Sequence, residues 1–158
     1  MKITYLLLVS LLCNTCLATQ DTKTYQAKVV KITDGDTIKV LKSGNEQVKI
    51  RLAGIDCPEK KQPWGTKAKH AISDLVAGKT VMIEVIDIDR YQRIIGRVFL
   101  NDINVNRALV QGGHCWAYTR YVKDKVLFTL QREAQASKKG LWVLPEVERM
   151  PPWEWRRQ

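Results

Sequence analysis

Three short runs near the N-terminal end, joined by two turns, limit the fold more than any other feature of this chain. Tyr25 to Ile32 is rich in β-branched residues, Thr37 to Leu41 alternates, and Asp34-Gly35-Asp36 stands between them. Asp-Gly between two such runs is a strong hairpin signal. Ser43-Gly44-Asn45 makes the next turn. In Val48-Lys49-Ile50-Arg51-Leu52 the apolar Val48, Ile50 and Leu52 then share one face, with Lys49 and Arg51 on the other. A three-stranded meander is therefore expected before residue 57.

The rest of the chain continues in the same manner. Pro58 and Pro63 bracket a loop, and Ala68, Ile72, Leu75 and Val76 recur at helical spacing until Gly78 supplies a stop. Thr80 to Asp87 and Ile94 to Leu100 read as two further strands joined by the charged turn Asp89-Arg90-Tyr91-Gln92-Arg93. Val105, Ala108 and Leu109 suggest a second helix ending at Gly112-Gly113. Val126, Leu127, Leu130 and Ala134 suggest a third, ending near Gly140. This order predicts a mainly β fold with helices (α+β): a five-stranded barrel of the OB type capped by about three helices.

A length of 158 residues bounds the chain to one domain, or one domain plus a short appendage. The N-terminal stretch is set apart from it. Lys2 is a minimal positive region, Ile3 to Leu12 is apolar except for Thr4 and Ser10, and Cys16-Leu17-Ala18 offers small residues for a cut after Ala18. That is the layout of a secretory signal peptide, too short to span a membrane. The expected division is 1–18 signal peptide, 19–150 folded domain and 151–158 basic aromatic tail. A secreted or periplasmic location, with no stable membrane insertion after cleavage, goes with it.

Cys13 and Cys16 leave with that leader. Cys57 and Cys115 remain, and an oxidising compartment permits one bridge between them. His70 and His114 show no metal-ligand spacing with them, so packing or surface roles are the default and zinc is not expected. The tail carries Trp153, Trp155, Arg156 and Arg157 and reads as chain docked on the barrel or frayed in solvent, with base stacking as the functional alternative.

Hydrophobic residues at 45% and charged residues at 27% exclude a disordered or polytopic protein. The charge balance is unusual: 26 Lys plus Arg against 16 Asp plus Glu, a net charge of +10. Such a surface collects polyanions, nucleic acid before anionic membrane or cell-wall polymer. Against that background Asp34, Asp36, Asp56 and Glu59 all fall at predicted strand ends. Singly, each suits a turn. Together, carboxylates converging at one end of a meander repel unless a cation sits among them, and hard oxygen ligands select calcium or magnesium. Arg51, expected on the same strand as Asp56, and Arg93, on the next tight turn, flank the group. Guanidiniums facing a carboxylate-bound cation suit phosphodiester cleavage, where they neutralise the pentacoordinate phosphorus while a further carboxylate takes a proton from water.

Asp34-Gly35-Asp36-Thr37, Arg51-Leu52 through Ile55-Asp56-Cys57-Pro58-Glu59, and Asp89-Arg90-Tyr91-Gln92-Arg93 resemble the three signature segments of the staphylococcal (thermo)nuclease family. Val105 to Leu109, Trp116-Ala117-Tyr118 and Glu133-Ala134-Gln135-Ala136 follow in the family's order. The resemblance covers roughly residues 25 to 143. It implies an OB barrel and calcium-dependent hydrolysis of DNA and RNA at the P–O5′ bond, leaving 3′-phosphates. It implies Asp36 and Asp56 as carboxylate ligands of Ca2+, Cys57 as a carbonyl ligand, and Glu59 as the group that activates water. Arg51 and Arg93 match the phosphate-binding arginines, Tyr91 and Tyr118 the phenols near phosphate and sugar, and Trp116 an aromatic facing the base. In the resembling fold the Cys57 and Cys115 loops lie near each other, which makes a bridge conceivable.

Two departures bear on the site. Cys57 stands where the family has Thr, harmless if only the carbonyl is used. Gln92 stands where Gly is usual, which costs about 1 kcal/mol if that position needs φ > 0. A non-catalytic OB-fold module that binds nucleic acid is the alternative reading, and a cationic coat on envelope polymers a third. The first typically lacks the acids and arginines, and the second leaves the carboxylates unexplained. DNA and RNA are the expected partners, and a monomer is the expected state.

Overall fold

A computed structural model describes residues 23–158. The proposed leader, with Cys13 and Cys16, lies outside the described residues. Five strands form the barrel: β1 (Thr24–Ile32), β2 (Thr37–Leu41), β3 (Gln47–Leu52), β5 (Thr80–Ile88) and β6 (Ile94–Leu100). Short pieces complete the β content: β4 (Ile55–Asp56) pairs with β8 (Trp116–Ala117), and β7 (Ile103–Asn104) extends β6. The sheet runs β3-β2-β1-β5-β6, and parallel pairing of β3 with β6 closes it. The expected OB-type barrel is thus present.

Period-two patterning explains which side chains point inward. Ile38 and Val40, Ile50 and Leu52, Val81 and Ile83, and Val98 are all buried in one core. Each such aliphatic side chain contributes about 1.5–3 kcal/mol on leaving water. Gly96 lies at the seam, where an added Cβ would press on the Glu84 carbonyl at 3.1 Å and the Ile83 side chain at 3.2 Å.

The three expected helices are α1 (Gly65–Val76), α2 (Val105–Gln111) and α3 (Val126–Ala136). Buried Asn106 fastens α2 to the barrel, its side-chain oxygen accepting from the Val98 N–H at 3.0 Å and its Nδ2 donating to the Ala53 carbonyl at 2.9 Å. Arg107 pairs with Asp124 through two contacts, at 2.7 and 3.1 Å, and so ties α2 to the segment entering α3. After α3 the chain makes two 3-10 turns, Gly140–Val143 and Glu146–Glu148, and ends in α4 (Pro152–Trp155). The tail is therefore docked chain with a helical turn. Among the described residues no helix is long and apolar enough to cross a membrane.

Two local expectations are corrected. The Asp34-Gly35-Asp36 hairpin forms, but Gly35 is absent from the positive-φ glycines, so the usual Asp-Gly turn geometry is not its reason. A Cβ at Gly35 would lie 2.7 Å from Cys57 Cβ; the glycine lets the turn pack onto that loop. Arg51 and Asp56 are not on one strand. A turn at Ala53-Gly54, with Gly54 at φ 73°, folds Asp56 back toward Arg51.

Candidate active site

The loops at one end of the barrel enclose a cleft of about 1020 Å³, lined by Asp36, Arg51, Asp56, Glu59, Arg93 and Tyr118 among others. Asp36 enters from the end of the first hairpin and Asp56 from β4. Both are nearly inaccessible, at 6% and 1% exposure. A carboxylate that buried must be matched by donors or cations. Asp36 Oδ2 accepts from the Cys57 N–H at 2.8 Å, and its Oδ1 accepts from the Thr37 hydroxyl at 3.1 Å.

Arg51 organises the rest. Its Nη2 donates to Asp56 Oδ1 at 2.8 Å, and its Nε faces Asp36 Oδ1 at 3.2 Å. Its Nη1 donates to the carbonyls of Leu52, at 3.0 Å, and Ile55, at 2.8 Å. One guanidinium thus links both carboxylates and pins the turn between β3 and β4. Little of its donor fork is left for a phosphate.

Burial raises the Asp56 pKa despite the guanidiniums beside it. Asp34 is pushed up to about 7, first by burial and then by the neighbouring Asp36 charge. Burial is the leading cause of both shifts, and the Asp36 charge adds to each.

Glu59 sits on a small loop of its own. Its N–H donates to Gln62 Oε1 at 3.0 Å, and its carbonyl accepts from the Gln62 N–H at 2.8 Å. Its carboxylate does not touch Asp36 or Arg51. It meets Arg156, a residue from the C-terminal end that the sequence reading did not place in the site. Arg156 Nη1 donates to Glu59 Oε1 at 2.7 Å and to Asp56 Oδ1 at 3.3 Å, while Nη2 donates to Asp56 Oδ2 at 2.6 Å. Desolvation opposes its charge, but the bonds and charges of Asp56 and Glu59 outweigh this and hold its pKa above the ordinary arginine value.

Arg93, just before the strand paired with that of Arg51, lines the same cleft but is paired with Asp89, Nε to Oδ2 at 2.7 Å. Asp89 Oδ1 also accepts from the N–H groups of Tyr91 and Arg93. The turn holds Gln92 at φ 59°, so the position does require the left-handed region. Tyr91 is 67% exposed, with the guanidinium of Arg93 5.5 Å from its ring centroid.

Tyr118 lines the cleft, whereas Trp116 does not: its ring packs edge-on against Trp142 and Trp153 at 4.5 and 5.9 Å between centroids. Cys57 and Cys115 form a disulfide with Cα atoms 4.2 Å apart, securing the loop just after Asp56. His114 stays out of the chemistry; it accepts from Trp64 Nε1 at 3.3 Å, and burial lowers its pKa.

The donor chemistry fits a hard divalent cation. Asp36 and Asp56 are both oxygen donors, buried and linked through Arg51, and a positive group, the Arg156 guanidinium, already stands against Asp56. Among the described residues no three acidic, His or Cys side chains form a closed cage. A cation here would draw its remaining ligands from carbonyls, water and substrate.

A family model described as "Staphylococcal nuclease homologue" matches residues 49–143, more than half of the chain. Asp36 precedes the matched stretch and Arg156 follows it. A protein of Escherichia coli described as an uncharacterized endonuclease is 46% identical over 132 residues, covering 83% of this chain and 84% of that protein. One of the same description from Haemophilus influenzae is 40% identical, covering 99% of this chain and 84% of its own length. A micrococcal nuclease of Shigella flexneri is 35% identical over 144 residues, covering 84% of this chain and 81% of that protein. With the closed barrel and this span of similarity, the chain belongs to the staphylococcal nuclease homologue family.

Proposed function

We propose that this protein is an exported, calcium-dependent nuclease that hydrolyses DNA and RNA at the P–O5′ bond and leaves 3′-phosphates. The observation that carries the reading is the pair of buried carboxylates, Asp36 and Asp56, bridged by Arg51 in the wall of a cleft that Arg93 also lines. Family membership supports the nuclease class, and the net charge of +10 suits a polyanionic substrate.

Asp36, Asp56 and the Cys57 carbonyl would hold the calcium ion. When bound, it supplies a Lewis acid that polarises the scissile phosphate and offsets the charge built up in the transition state. Glu59 accepts the proton of the attacking water, and its 40% exposed side chain gives solvent direct access to it. Arg93 neutralises the phosphate after exchanging Asp89 for the substrate. Arg51 serves mainly to hold the two carboxylates at their spacing, with its remaining N–H directed to the phosphate. Tyr91 and Tyr118 offer phenol and ring contacts to sugar and phosphate. Trp116 acts from behind, as the packing support of that wall. The Cys57–Cys115 disulfide supports export, because such bonds persist in oxidising compartments.

The test is cleavage of defined DNA and RNA oligonucleotides with calcium, magnesium and chelator in parallel, with end-group analysis of the products. Calcium-dependent cleavage leaving 3′-phosphates is expected. Binding without cleavage under every condition would instead make the protein a nucleic-acid-binding module.

A further inference from the structure

The last nine residues return to the cleft and take up places that the proposed ligands need. The Gln62 side chain, itself buried, donates through Nε2 to the Met150 carbonyl at 2.6 Å and anchors the start of the segment. Pro151 and Pro152 pre-set a helical turn, and Pro152 is buried. Trp153 then lies flat on Tyr118, with ring centroids 5.1 Å apart and planes 6° from parallel. That is the geometry of a base stacked on an aromatic platform. One turn later Arg156 grips both oxygens of Asp56 and one of Glu59.

We propose that Met150–Gln158 is an intramolecular competitor for the site, with Arg156 in the cation's place on Asp56 and closed over the Glu59 carboxylate, and Trp153 on the ring face of Tyr118 that the nucleotide would contact. The inference rests on the calcium and nucleotide reading above. Occupancy by the tail and by a cation is mutually exclusive for two reasons. Asp56 Oδ1 already accepts from both Arg51 and Arg156, and Oδ2 accepts from Arg156, so the carboxylate has little capacity left for a metal. A divalent ion on Asp56 would also stand within a few ångströms of the Arg156 charge, and like charges at that range repel strongly in a part-buried site. The part that must move is short. α4 has four residues, and Arg156 is 41% exposed. Calcium displaces Arg156, and a nucleotide displaces Trp153, so each ligand eases entry of the other.

The test measures calcium binding calorimetrically, without nucleic acid, on the wild-type chain, on Arg156→Gln, and on a chain ending at Pro151. The last keeps the Met150 carbonyl that Gln62 needs. If the tail occupies the site in about nine molecules of ten, wild-type affinity for calcium is about tenfold weaker than that of either variant. Tryptophan emission reports the second half: Trp153 leaves Tyr118 on addition of calcium and oligonucleotide, and its signal should shift. In chelator, Trp153→Ala should bind a short single-stranded oligonucleotide more tightly.

Equal calcium affinity in all three chains overturns the inference while leaving the calcium reading standing. Absence of calcium binding in all three overturns both. Weaker oligonucleotide binding by Arg156→Gln or Trp153→Ala, with calcium affinity unchanged, makes the tail part of the substrate surface and also overturns it.

Discussion

Glu59 and Gln92 show how much rests on single side chains at this end of the barrel. Glu59→Gln keeps the shape of the side chain and removes its capacity to accept a proton. General-base catalysis contributes about 10²- to 10⁴-fold, so calcium-dependent cleavage should fall by about that factor. Calcium affinity should change far less, since Asp36, Asp56 and the Cys57 carbonyl remain. Steady-state cleavage together with calcium titration checks both, and full activity in the variant would make Glu59 only an organiser of its loop. Gln92 has φ 59°, a region costly for a residue with a Cβ. Gln92→Gly should relieve that strain at the expense of a more flexible unfolded chain, for a net gain of about 0.5 kcal/mol. Urea unfolding measures it, and a destabilised variant would show that the Gln92 side chain makes a compensating contact. The Gly-to-Gln departure was readable in sequence as a conditional cost. The engagement of Arg51 with two carbonyls was not, because it depends on how the Ala53-Gly54 turn folds back.

Elements that obey a short period were legible, and those that meet across the chain were not. β2 and β3 announce themselves by alternation, and α1 and α3 by apolar residues three and four apart. The packing of β4 on β8 left no such mark, since each is two residues long and they meet beside the bridge that joins the Cys57 and Cys115 loops. Those cysteines are separated by 58 positions. For a closed loop of that size the chain-entropy model gives about 4 kcal/mol of stabilisation. Replacing both with Ser, or unfolding in reductant, should therefore lower the free energy of unfolding by about that amount. Two free thiols in the purified, untreated protein, or unfolding unchanged by reductant, would contradict it. The tail 151–158, which carries α4, was legible only as composition: two Trp and two Arg in eight residues. Asp56, the partner of Arg156 at the end of that turn, lies 100 positions earlier, a separation at which no local pattern operates.

At the scale of the whole molecule the net charge of +10 and the cleft act on the same ligand. Binding of duplex DNA in chelator should weaken steeply with salt, because each phosphate neutralised releases counterions. With about five phosphates engaged, affinity should fall about 10²- to 10³-fold between roughly 50 and 200 mM salt. Equilibrium binding across that range gives the slope, and a flat response would confine recognition to uncharged contacts. The closure of the barrel has a kinetic consequence as well. Its seam joins Ile50 to Ile94, Arg51 to Ile95 and Leu52 to Gly96, partners separated by 44 positions. Non-local parallel pairings of this kind form slowly, because loop-closure entropy is lost before the contacts reward it. Arg51 belongs to one seam strand and Arg93 immediately precedes the other. A nascent or transiently opened chain in which those three pairs are apart therefore has no common wall on which the two guanidiniums can face one substrate, so closing the barrel and assembling the cleft are a single folding event.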